Sequence, residues 1–202
     1  KDTFLFSHSM LYLASVYRAQ KEFERTDSVL ELSEVYAQSR RSKIFLDEIY
    51  QEWAELFLDL KKYPEANDKL NTGAKSGQPY LDQDWLELKI RLFRETEQQD
   101  SLERFLDSAI SFSQHQKNKA LTLQYLAQKS AVLRQTNRQD AAADIDQERL
   151  KLQEELLQEK ENLIYDLFAL RRAFGSVKQE VSTLNENLAL EQEKRKSQES
   201  IL

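Results

Sequence analysis

The sequence predicts an all-α protein: an α-solenoid of helical hairpins continuing into a long C-terminal coiled-coil helix. Three observations carry this. The 202 residues include only 3 Gly and 2 Pro, too few for the many tight turns of a strand-rich fold. Apolar residues recur at three-, four- and seven-residue steps, the spacing of a helix face. Similar segments also return along the chain: Ala14, Ala54, Ile90 and Ser130 stand 40, 36 and 40 residues apart, a period that marks repeat architectures.

Each element follows from that register. The first hairpin, about residues 3–40, has Met10, Leu13 and Tyr17 on one helix and Phe23, Leu30 and Ser33 on the next. The second, 43–76, repeats this with Tyr50, Trp53, Phe57, then Tyr63, Ala66, Leu70 and Gly73. Ala14 and Ala54 let two helices approach, and the aromatic residue three positions later fills the space between them. Pro64 fits the start of a second helix, where its missing N–H costs nothing. The stretch Asn71 to Pro79 contains most of the helix breakers, including Gly73 and Gly77, and is expected to connect hairpins. The third hairpin, 80–113, keeps Leu86, Phe93, Leu102, Leu106 and Ala109. The fourth, 116–148, keeps Leu126, Leu133 and Ala142. Together they form a predicted repeat domain over 1–148.

A long helix is expected over 149–202, with a coiled coil from about 160. Leu163, Leu170, Val177 and Leu184 fall at d, and Leu167, Phe174, Val181 and Leu188 at a, in alternating steps of four and three. This seam predicts a parallel homodimer through residues 160–190. The alternative is that the helix packs back as a cap on the last hairpin, a role the wider apolar set Leu150, Leu152, Leu156 and Leu157 suits. The seam fades at Glu191, Arg195 and Gln198. Gly175 is read as a flexible point between the hairpins and the coil.

Composition limits the function. With no Cys there is no disulfide, thiolate metal site or cysteine nucleophile. His8 and His115 are too few for most metal or triad chemistry, and each is read as structural. The acidic groups Asp82, Asp84, Glu87 and Asp140, Asp144, Asp146, Glu148 read as carboxylates favoured at helix starts. No catalytic, metal or cofactor site is assigned. The aromatic stripe reads as core, and Lys194-Arg195-Lys196 as a solvated helix face. A net charge of -6, from 29 Lys+Arg against 35 Asp+Glu, argues against a nucleic-acid surface. No apolar run approaches the roughly 20 residues of a membrane span, and no cleavable signal is visible. A start at Lys1 and an end within a charged helical pattern suggest a segment of a longer protein.

The pattern of Met10, Leu13, Ala14, Tyr17, Phe23, Leu30 and Ser33, repeated from Tyr50 to Gly73, resembles the tetratricopeptide repeat (TPR) family. The resemblance covers roughly residues 3–148, with a longer period than the family's 34. It implies that the first helix of each pair lines a concave groove for an extended peptide or partner helix. The inward register places Arg18, Gln51, Glu55, Asp59, Glu87, Arg91, Arg94 and Arg134 there. Ser15, Glu55 and Glu87 stand where the family's carboxylate clamp uses Lys and Asn, so that activity is not carried over. A repeat domain leading into a coil also resembles the sensor half of bacterial membrane-associated signalling proteins. The implied role is a non-catalytic sensory module, in the bacterial periplasm or cytoplasm, tethered to the inner membrane by flanking sequence. The rival reading is a scaffold whose coil only sets the oligomeric state.

Overall fold

The computed structural model describes residues 2–75 and 83–199. Among these the chain forms eight helices and no strand. They are α1 Asp2–Ala19, α2 Phe23–Ser39, α3 Lys43–Asp59, α4 Tyr63–Lys75, α5 Gln83–Glu95, α6 Gln99–His115, α7 Lys119–Gln135 and α8 Gln139–Glu199. Each of α1 to α6 packs on the next in sequence, and α6 on α7. In addition α1 lies against α3 and α3 against α5. The fold is an all-α helical repeat with a long C-terminal helix.

Amphipathic faces explain the packing. One core joins Ala14 of α1, Leu30 and Ala37 of α2, and Phe45, Ile49, Tyr50, Trp53 and Leu56 of α3. A second joins Ala54 and Leu58 of α3, Ala66 and Leu70 of α4, and Leu88 and Leu92 of α5. Further along, Leu102, Leu106 and Ala109 of α6, Tyr125, Leu126 and Leu133 of α7, and Ala142 of α8 are also buried. Each hairpin therefore supplies the cover for the one before it.

Six connections, each three residues long, share one geometry. Lys21, Arg41, Lys61, Glu97, Lys117 and Asn137 adopt left-handed backbone, with φ between 52° and 61°. The next residue returns its N–H to a carbonyl five positions back: Glu22 to Tyr17 at 2.9 Å, Lys62 to Phe57 at 2.8 Å, Arg138 to Leu133 at 2.9 Å, and likewise at the other three. This is a Schellman closure, which satisfies the last helical carbonyls and normally recruits glycine. None of the six is glycine here. Scarce glycine thus does not mean relaxed turns; the corners carry side chains in a conformation disfavoured by about 1–2 kcal/mol per residue.

Two expectations are corrected. Asn71 to Lys75 belong to α4, so Gly73 is a helical residue and not part of a connection. A Cβ built there would stand 3.5 Å from the Tyr50 Cβ, at ordinary van der Waals distance. Gly77 and Pro79 lie outside the described residues. Likewise α8 is continuous through Gly175. The chain divides into two compact units, Lys1–Arg149 and Leu150–Leu202, so Gly175 falls well inside the second and does not mark their boundary.

Candidate functional site

Two surfaces collect the residues singled out by the sequence, one in each unit. The first is the polar face of the odd-numbered helices. Arg18, near the end of α1, reaches three carboxylates on α3: Glu52 at 3.4 Å, Glu55, and Asp59 at 3.2 Å. Asp59 also takes a bond from Arg91 of α5 at 2.8 Å, and Arg91 holds Glu95 at 2.7 Å. The spacing of Glu52, Glu55 and Asp59 puts them on one side of α3, which is why one guanidinium can meet all three. Farther along, the Tyr125 hydroxyl of α7 donates to Glu87 of α5 at 3.2 Å, and Arg94 of α5 donates to Gln128 of α7.

These groups border open space. A groove of about 370 Å³ is lined by Glu55, Asp84, Glu87, Arg91, Arg94, Tyr125 and Gln128, among others. A neighbouring one of about 660 Å³ includes Arg18, Lys61, Tyr63, Asp59 and Glu95 in its walls. Arg91 lines both. Burial raises the Glu52 and Glu55 carboxyls above their ordinary value, although Arg18 pulls each down. The buried Tyr125 hydroxyl is pushed up as well, chiefly by burial and then by the Glu87 charge. A partly desolvated face carrying both signs of charge favours a ligand that brings its own hydrogen-bonding groups.

Arg18, Glu55, Asp59 and Arg91 are thus brought into one network, with Glu87 and Arg94 beside it. Arg134 is not part of it: its guanidinium pairs with Asp146 of α8. Gln51 is half-buried on α3. Sequence reasoning missed Glu52, Glu95, Tyr125 and Gln128. Glu52 was within reach of the same register, three residues before Glu55. Among the described residues, no three His, Asp or Glu side chains come together to hold a metal ion.

The second surface lies on α8. Leu163, Leu167, Leu170, Phe174, Val177, Val181, Leu184 and Leu188 are all between 50 % and 75 % exposed. Ile164 and Phe168 widen the apolar stripe at its start. Of the set read as a cap, Leu150 and Leu157 are exposed, and only Leu152 and Leu156 are partly buried. No described helix is long and apolar enough to cross a membrane.

No protein-family model matches the chain, and no curated protein sequence matches it significantly.

Proposed function

We propose that the chain is a non-catalytic interaction module, the sensory or regulatory part of a larger bacterial signalling protein. Its hairpins, TPR-like in register, bind a protein or peptide partner along the groove at Arg91. Its α8 seam pairs in parallel with a second copy and passes the bound state on. The observation that carries this reading is the row of eight exposed apolar side chains at heptad spacing on α8. Such a row, left in water, favours association over a solitary helix.

One charged pair fits the parallel arrangement. With Leu163 at d, Asp166 falls at g and Arg171 at e. In a parallel dimer, g of one heptad faces e of the next on the partner helix, so Asp166 meets Arg171 of the second copy with opposite charge. Light scattering tests the assembly: the whole chain should be a dimer, and a version ending at Glu159 a folded monomer. A monomeric whole chain refutes the dimer. For the groove, Arg91→Glu with Arg94→Glu should at least halve recovery of a native partner in pulldown. Unchanged recovery removes that site.

A further inference from the structure

Lys89 is a buried lysine in the middle of α5. It lies eight residues before its left-handed corner, Glu97; the same register holds Leu13, Trp53 and Lys129 before Lys21, Lys61 and Asn137. Only 3 % of Lys89 is exposed. Its ammonium donates to the amide oxygens Asn67 Oδ1 and Asn71 Oδ1 of α4, both at 2.8 Å. The rings of Trp85 and Phe93 face it at 5.6 and 5.8 Å. Trp85 is itself tied to α4, its indole N–H donating to the Leu70 carbonyl at 3.1 Å.

Lys129 shows what such a lysine ordinarily has. It bonds Asp107 of α6, and Asp107 is the counterpart, 36 residues on, of Asn71. Lys89 has no carboxylate partner among the described residues. The charged groups around it are engaged elsewhere or exposed. On α4, Lys69 pairs with Glu34, and Glu65 and Asp68 are exposed. On α5, Asp84 is exposed and has a partner of its own, Glu87 accepts from Tyr125 and Gln83, Arg91 and Glu95 pair together, and Arg94 bonds Gln128. On α6, Glu103 holds Arg138 and Asp107 holds Lys129, while Asp100 and Arg104 are exposed. On α3, Glu52, Glu55 and Asp59 surround Arg18, and Asp47 and Glu48 have partners as well.

We propose that the joint between the second and third hairpins is proton-linked through Lys89: the charged ammonium loosens it, and the neutral amine tightens it. A neutral amine still carries two N–H donors, enough for Asn67 and Asn71, and it sheds the cost of burying a charge without a counter-ion. Burial draws Lys89 down to about 8 from its ordinary 10.5. The unfolded chain then binds more protons at this group between those values, so the Lys89 contribution to stability rises with pH from about 8 to 10.5 and is smallest below 8. The joint belongs to the interior of the repeat, and nothing in it depends on a partner in the groove or on the seam.

The Lys89 ¹³Cε resonance, assigned by its loss in Lys89→Met, tests this directly in the whole chain. Its midpoint should lie near 8. The thermal midpoint of unfolding should climb between pH 8 and 10, and Lys89→Met should flatten that climb while Lys129→Met retains it. Asn71→Asp should return the Lys89 midpoint above 10. A Lys89 midpoint above 10 in the unmodified chain overturns the proposal. So does a climb that survives Lys89→Met unchanged.

Discussion

Leu30 in α2 and Leu170 in α8 sit in equally regular apolar patterns, yet one is wholly buried and the other 66 % exposed. Across the hairpins, the buried apolar side chains meet neighbouring helices of the same chain, as Leu30 shares one core with Ile49 and Leu56. Along α8 the face is just as regular, and its side chains are at least half exposed. Periodicity therefore identifies which side chains share a face, and says nothing of what covers it. Cover from within the chain makes a repeat; cover from a second molecule makes an assembly.

Substitutions can break that contrast from either side. The largest effect is expected for Leu170→Asp with Val177→Asp, which places two carboxylates in the seam. Sedimentation should show dimer affinity weakened more than about 100-fold, roughly 3 kcal/mol, with hairpin melting unchanged. If instead the hairpins unfold, the seam is internal cover. Next comes Leu30→Ala, which should destabilise the repeat by about 2–5 kcal/mol in urea unfolding, the usual range for a core leucine that leaves a cavity. Association through α8 should remain as before. Smallest is Gly175→Ala. Nothing lies within 4 Å of a Cβ added there, so the gain is the helix propensity alone, about 1 kcal/mol. Helicity by circular dichroism should rise without loss of the dimer; a loss would mean that close approach at Gly175 is needed.

The helical class was legible because a face repeating every three to four residues is a property of side-chain order, which the sequence displays directly. The small residue at Ala14 and Ala54 was legible for the same reason, and both are fully buried. Gly73 was read both as a position of the second hairpin's helix and as part of a connection, because glycine breaks helices yet also occurs inside them; its place within α4 decides for the first. On the groove face, Arg18, Glu55, Asp59 and Arg91 could be placed by register. Their pairing could not, since a salt bridge depends on the separation of α1, α3 and α5 in space. Lys89 was hidden for a simpler reason. A pattern that counts lysine as polar takes it for a surface residue, whereas here its ammonium is satisfied by two neutral amides.

The six left-handed corners bear on how the chain folds. Each closes its hydrogen bond over six residues, so it can form before any helix has met its neighbour. The helices it joins then find one another across three-residue links, and the hairpins meet at separations of only tens of residues. Chains built from such short-range contacts fold quickly, since little loop entropy is lost before contact is rewarded. A glycine at Lys117 would relieve its left-handed strain, but would also give the unfolded chain more freedom at the point where the hairpin turns.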